Sequence, residues 1–287
     1  MRSVRLALIL IALVPATTWA QQVLEIAPLI RSTQGNDLRE DGTRAPAALD
    51  SGAASGAQEA PGVDARADRI LRRMGDYLSS ASEFTFKADL EYDTVAADGQ
   101  KILYGAVAVA SVRRPGLLRV EYNGDERQTR VVFDGQTITI YDAAANVYTV
   151  ADVPANIDDA LDTVFERYGV FVPISDFFYA DPYGVLIENA QTGFVVGRHP
   201  VDGVPSYHLA FSQEEIDWQI WIEDGPRPVP RKLVITYKSE PGSPQYVATL
   251  SDWDFDPRLS DHYFEFEPPS GSDQIEFLPN QQQEIQQ

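Results

Sequence analysis

Three histidines and two clusters of acids are the side chains best suited to chemistry in this chain of 287 residues. His199 and His208 flank the Asp202-Gly203 turn, which sets them on neighbouring strands, while His262 stands apart. Zinc needs at least three protein ligands. No third ligand can be placed beside the pair, so these histidines read as residues of a sheet surface. Asp252, Asp254 and Asp256 alternate, and on a strand that puts three carboxylates on one face, where they repel. Calcium would relieve the repulsion. However, Pro257 stands where a calcium loop needs glycine and Tyr263 where it needs a bidentate acid. A solvated acidic face with Trp253 and Phe255 buried opposite it is the expectation. Asp158, Asp159 and Asp162 fall on a helix pattern, and its positive N-terminal end accounts for the first two. There is no Gly-x-Ser-x-Gly, no His-Glu-x-x-His, no phosphate-binding loop, no dinucleotide fingerprint and no cysteine nucleophile. No catalytic residue, metal or cofactor is expected, and the chain reads as a non-enzymatic protein.

What these residues sit on is clearer. Within Pro205–Lys238 there are three alternating runs, carrying Tyr207, Leu209 and Phe211, then Ile216, Trp218, Ile220 and Ile222, then Leu233, Ile235 and Tyr237. Side chains alternate between the faces of a strand, so each run has one apolar and one more polar face. Ser212–Glu215 and Gly225-Pro226-Arg227-Pro228 are the turns between them, which implies an antiparallel meander. Something apolar must cover its greasy face.

The folded part is expected to open with a helix over 63–80, where Ala67, Ile70, Leu71, Met74, Tyr77 and Leu78 recur at helical spacing. About six strands follow. The first alternates Phe84, Phe86, Ala88, Leu90 and Tyr92, and Asp134-Gly135 marks a later hairpin. Asn156 then reads as a helix cap, Leu161, Val164, Phe165 and Tyr168 as an apolar stripe, and Gly169 as the stop. A short second helix is expected over 175–179, with Phe177, Phe178 and Tyr179 together. Strands are expected to resume at Gly184 and run to Phe255, with a last run at Tyr263–Phe266. The fold class is α+β, mainly β. A long antiparallel sheet curls rather than staying flat, giving a strongly curved, incomplete barrel plugged by amphipathic helices. Such an interior accepts a long apolar ligand if the plugs move.

The ends read differently. Arg2, Arg5 and the apolar run from Leu6 to Val14, followed by Thr18-Trp19-Ala20, form a cleaved secretory signal over 1–20. Residues 21–62 are a Gly/Ala/Ser/Pro-rich linker expected to be disordered, as is the tail over 279–287. One domain spans 63–278. Without cysteine there is no disulfide and no lipid anchor, and no other stretch is long enough to cross a membrane. An exported, unanchored protein of this kind resides in the periplasm of a Gram-negative cell. The formal net charge is -20, and losing Arg2 and Arg5 makes it two units more negative. That surface repels nucleic acid and anionic membranes.

Several motifs resemble the LolA/LolB-like superfamily of periplasmic lipoprotein carriers. They are Ala110-Ser111-Val112-Arg113-Arg114-Pro115-Gly116-Leu117-Leu118, then Val131-Val132-Phe133-Asp134-Gly135, and the closing Phe264-Glu265-Phe266-Glu267-Pro268-Pro269-Ser270-Gly271. Asp217-Trp218-Gln219-Ile220-Trp221 and Pro230-Arg231-Lys232-Leu233-Val234-Ile235-Thr236 resemble, more closely, a domain-of-unknown-function family of predicted periplasmic proteins within it. The resemblance implies an open barrel, lidded by helices, that holds acyl chains. It also implies that Arg114 bonds backbone groups of the lid and holds it shut; the plainer alternative is a solvated turn arginine. The candidates for lid or apolar ligand surface are Phe84, Phe86, Leu90, Phe165, Tyr168, Phe177, Phe178, Tyr179, Tyr207, Phe211, Trp218 and Ile220, for which ordinary core packing is the alternative. The leading reading is therefore a periplasmic binder of lipid or lipoprotein acyl chains, for transport or sensing. The second is an interaction or regulatory module with a filled cavity, whose partner is a protein of the periplasm or outer membrane.

Overall fold

The computed structural model describes residues 62–277. The expected leader and tail, and the linker up to residue 61, lie outside them. Helix α1 is Ala65–Ser79, and the strands β1 (Glu83–Val95), β2 (Lys101–Arg113), β3 (Leu117–Gly124), β4 (Gln128–Phe133), β5 (Thr137–Asp142) and β6 (Val147–Asp152) follow. An insert then holds α2 (Ile157–Tyr168), a 3-10 helix (Pro173–Phe177) and α3 (Pro182–Ile187). The second run is β7 (Thr192–Arg198), β8 (Ser206–Ser212), β9 (Ile216–Glu223), β10 (Pro230–Tyr237) and β11 (Gln245–Asp254). A second 3-10 helix (Asp261–Phe264) and the short β12 (Asp273–Gln274) close the described chain.

The strands form one sheet in the order β12-β6-β5-β4-β3-β2-β1-β11-β10-β9-β8-β7. Two meanders meet where β11 pairs antiparallel with β1, Ala88 opposite Leu250. The sheet does not close, because β12 and β7 are its two ends. Register shifts in β1·β11, β9·β10 and β7·β8 mark bulges, which bend and twist a sheet. Leu71, Met74 and Leu78 of α1 share one core with the inward strand residues Phe84, Leu118, Ile140, Leu209, Trp218 and Leu250.

Local signals explain the helices. Asp64 caps α1 by accepting from the Arg66 and Ala67 amides at 2.7 and 3.0 Å. Asn156 accepts from the Asp159 amide at 2.8 Å, and Gly169 ends α2 with φ 69°, where glycine has no Cβ to clash.

Three expectations need correction. Gly184 does not begin a strand: it lies in α3, because Asp181 caps a helix whose first residue is Pro182, and strands resume at Thr192. The short helix expected over 175–179 is the 3-10 helix Pro173–Phe177. Tyr263–Phe266 is not a strand but a 3-10 turn leading into extended chain across the outer face of the sheet. There the Tyr263 and Ser111 hydroxyls meet at 3.1 Å, Phe264 is fully buried, and Phe266 lies against Tyr141 and Tyr148.

Asp252, Asp254 and Asp256 are exposed as expected, but Trp253 and Phe255 are only half-buried, and a kink rather than plain alternation arranges the stretch. Tyr246, Ala248 and Leu250 point inward on even numbers, whereas Trp253 packs on the inward Phe86, ring centroids 4.4 Å apart. Asp252, at φ 53°, makes the switch of parity.

Close approach between α1 and α3 sets a test. A Cβ on Gly75 would sit 2.9 Å from the Tyr183 backbone nitrogen. Gly75→Ala, normally favourable inside a helix, is expected to destabilise the protein by about 1–3 kcal/mol through overpacking. Urea unfolding checks the sign, and a stabilised variant would disprove the tight α1–α3 contact.

Candidate functional site

The Arg113–Gly116 turn joins β2 to β3 at the rim of the sheet. Arg114 reaches inward from it. Its Nη1 donates to the carbonyls of Leu78 and Ala81 at 2.9 and 2.7 Å, at the end of α1. Its Nη2 donates to the carbonyls of Tyr179 and Phe178 at 2.7 and 3.4 Å, just beyond the 3-10 helix. Ala81, Phe178 and Tyr179 lie just past the helix ends, while the Leu78 carbonyl also accepts from the Ala81 amide at 3.2 Å; a planar guanidinium satisfies several such carbonyls at once. Burial lowers the Arg114 pKa, and the nearby Asp158 carboxylate opposes that. The Phe84 ring lies under the guanidinium at 5.2 Å.

The same turn holds the start of α2, since the Ile157 amide donates to the Pro115 carbonyl at 2.8 Å. The aspartates of α2 brace the insert further. Asp158 accepts from the Ala180 amide at 3.0 Å, and Asp162 from the Tyr179 hydroxyl at 2.9 Å. Helix-end electrostatics had seemed enough for Asp158; its side chain also fastens α2 to the end of the 3-10 segment.

Under this insert lies a cleft. Its floor is Leu118, Val120, Val131, Ile138 and Ile140, the inward residues of β3, β4 and β5. Its roof is Leu161, Val164 and Phe165 of α2, then Val170–Val172, Ile174, Ser175, Phe178 and Tyr179. The room inside it for the centres of water-sized spheres is about 80 Å³, and the surrounding envelope of about 750 Å³ includes open solvent at the mouth. Only Ser175 and Tyr179 bring polar side-chain atoms to a wall that is otherwise hydrocarbon. Nothing there can activate a nucleophile, but an apolar chain would find a matching surface.

The twelve apolar candidates fall into three groups. Phe165, Phe178 and Tyr179 line the cleft. Phe84, Phe86, Leu90, Tyr168, Phe177, Phe211, Trp218 and Ile220 lie in the packed core, with Phe211 stacked on Trp218 at 4.2 Å and Tyr168 on Phe277 at 3.8 Å. Tyr207 is half-buried in a different hollow, beside Arg66, Arg69 and Arg73. Sequence reading passed over the β4 and β5 floor. Its signal was present in the inward parity of Val131, Ile138 and Ile140, but parity alone does not say which stretch of an inner face stays uncovered.

His199 and His208 do meet, with their Nδ1 atoms 3.0 Å apart. Among the described residues no group of three His, Cys, Asp or Glu is placed to hold a metal ion. His208 instead bonds Gln219 through Nε2 at 2.9 Å and stacks on Trp221. Burial lowers its pKa, the Gln219 bond opposes that, and His199 and Lys232 reinforce it. A histidine held below its unfolded value of 6.5 contributes stability above that pH and loses it as pH falls toward the folded value. Unfolding midpoints measured between pH 7.5 and 5 are expected to fall less steeply in His208→Gln than in the parent protein.

Arg114→Met removes the side-chain donor from the carbonyls of Ala81, Phe178 and Tyr179 and leaves the Leu78 carbonyl with backbone amides alone. A loss of about 3 kcal/mol is expected in urea unfolding, with Arg114→Lys recovering only part because an ammonium cannot span both carbonyl pairs. A loss under about 0.5 kcal/mol, the range of ordinary surface substitutions, would mean that the bonds contribute little.

Comparison with solved structures finds distant likenesses. Among solved structures, an uncharacterised conserved protein of Thermus thermophilus is 13% identical, with 74% of this chain and 99% of that chain covered and a TM-score of 0.43. The Mycobacterium tuberculosis lipoprotein LppX is 13% identical, with coverage of 68% and 98% and a TM-score of 0.42. A LolA superfamily protein of Nitrosomonas europaea is 12% identical, with coverage of 70% and 97% and a TM-score of 0.35. Likenesses this distant carry no argument about ligand or activity. A search of curated proteins finds no match. Among the described residues no helix is long and apolar enough to cross a membrane. The family profile described as "Predicted periplasmic protein (DUF2092)" matches residues 67–278, and the chain belongs to that family.

Proposed function

We propose that this protein binds an apolar ligand, a lipid or a lipoprotein acyl chain, in the cleft between β3–β5 and the insert, for transport or sensing in the periplasm and without catalysis. The observation that carries the reading is a hydrocarbon-walled cleft whose roof is fastened at its rim by one arginine. Burying the methylenes of a chain there is favourable by about 0.8 kcal/mol each. Arg114 acts as the latch in this reading: its bonds to Phe178 and Tyr179 break when the insert lifts, while β1–β6 stay paired.

A second reading has one specific observation behind it. The sheet ends at β7, where Phe194 and Val196 are 55% and 43% exposed. An apolar sheet edge is a ready surface for a partner's strand, as an interaction or regulatory module would need. In that case the cleft is only an imperfectly filled core.

Ile140→Trp separates the two. The added ring occupies the cleft floor and is expected to weaken uptake of a fluorescent acyl probe about tenfold or more, a loss of roughly 1.4 kcal/mol, with far-ultraviolet circular dichroism unchanged. Arg114→Leu is expected to release the probe faster. If the unmodified protein takes up no acyl probe and yields no lipid on organic extraction, the carrier reading fails and the β7 edge becomes the place to look.

A further inference from the structure

The concave face carries a second feature, on strands outside the cleft. Trp218 on β9 is opposite Ile235 on β10, and Ile235 is opposite Tyr246 on β11. Tyr237 lies two residues along β10 on the same face, next to both. All three aromatics are buried: Trp218 is 1% exposed, Tyr237 and Tyr246 3% each. Yet the Trp218 Nε1, the Tyr237 hydroxyl and the Tyr246 hydroxyl have no hydrogen-bond partner among the described residues. Tyr92, directly opposite Tyr246, differs: its hydroxyl donates to Glu126 at 2.9 Å.

Buried polar groups almost always find partners, because desolvating a donor without an acceptor is costly. Phenylalanine would fill either tyrosine position without that cost. Three donors without a protein partner, on adjoining strands, suit an acceptor brought from outside. An indole N–H only donates, and a phenol donates readily. Their complement is a group that accepts hydrogen bonds and brings no proton of its own.

Charge narrows the choice. Asp176 is buried on the 3-10 helix, and burial first, then the Asp176 carboxylate, push the Tyr237 pKa up. A free carboxylate arriving beside Tyr237 would meet a like charge, whereas a neutral carbonyl would not. The same 3-10 helix lines the cleft through Ile174 and Ser175. Lifting it would join the hydrocarbon cleft to the three donors.

We infer that Trp218, Tyr237 and Tyr246 form a headgroup subsite for a neutral ester carbonyl, so that the ligand class is acyl esters rather than free fatty acids or plain hydrocarbon. This rests on the apolar-ligand reading and narrows it.

The test uses the full chain from Gln21 and three probes of similar length: methyl palmitate, palmitate and hexadecane, each displacing a bound fluorescent acyl probe. Methyl palmitate is expected to bind about tenfold tighter than hexadecane, and tighter than palmitate, since sites with buried donors reject analogues that lack the acceptor. The Tyr237→Phe/Tyr246→Phe double variant is expected to lose that preference, keep its hexadecane affinity, and unfold at a higher midpoint. Equal binding of ester and hydrocarbon, tighter binding of palmitate, or an ester preference that survives in the double variant would each overturn the subsite while leaving the carrier reading intact. Failure of all three probes to bind would overturn both.

Discussion

The carbonyls that a helix leaves unpaired at its C-terminal end must find donors. In this protein two helical elements end side by side under the rim of an open sheet, and Arg114 supplies donors to both. The arrangement of the concave face follows from that. The guanidinium fixes where α1 stops, through Leu78 and Ala81, and where the 3-10 segment stops, through Phe178 and Tyr179. The adjoining Pro115 carbonyl fixes where α2 starts. The insert is thus attached at this rim, and further along α1 by the Ser79 hydroxyl on the Ala180 carbonyl and by Tyr183, which bonds Arg72 and Asp68. A roof fastened by a few polar bonds to charge, over a wall of non-directional hydrocarbon contacts, is what the proposed latch would need. Hydrocarbon contacts can be exchanged for ligand contacts at little net cost, whereas the carbonyl bonds are either made or broken.

Much of this was legible in the chain, because the signals were local. Alternation in Ile216–Ile222 and Leu233–Tyr237, with turn residues between, specifies strands and their inward faces. Asn156 and Gly169 mark the ends of α2 by chemistry within four residues. Arg114 drew notice through resemblance rather than periodicity, and its contacts are set by residues 33 to 65 positions away in sequence. Helix α3 was missed because Gly184-Val185-Leu186-Ile187 is too short for a helical period to show, and the decisive pair Asp181-Pro182 lies before it. The chain after β11 was misread for a different reason. Tyr263 and Phe264 have the composition of a strand, but what they bury against is the outer face of β2 and β3, over 140 residues earlier.

The two halves of the concave face differ in how they are filled, and shape explains the difference. On the β1 and β8–β11 side, flat rings stack: Phe86 on Trp253, and Phe211 on Trp218. Rings stacked near van der Waals distance leave little room. On the β3–β5 side the residues that floor the cleft are Leu, Val and Ile, which do not reach the roof of Leu161, Val164 and Phe165 everywhere, and the cleft is what remains. Composition alone did not reveal this, since both halves are equally apolar and alternate equally well. The cleft depends on side-chain length set against the height of α2, and that height is fixed at the latched rim.

The filled side has its own tension. A core selected for stability alone would hold phenylalanine at 237 and 246, since an orphaned phenol is a liability in hydrocarbon. Natural cores keep such liabilities where function needs them and compensate elsewhere. Compensation is close at hand: Leu233, Ile235, Ala248 and Leu250, on the same two strands, are all nearly or fully buried. The β10·β11 pair holds its two phenols on adjoining strands beneath the insert. In the proposed reading, recognition and capture fall to different parts of one surface, the donors standing on the β8–β11 meander and the hydrocarbon cleft lying under the insert.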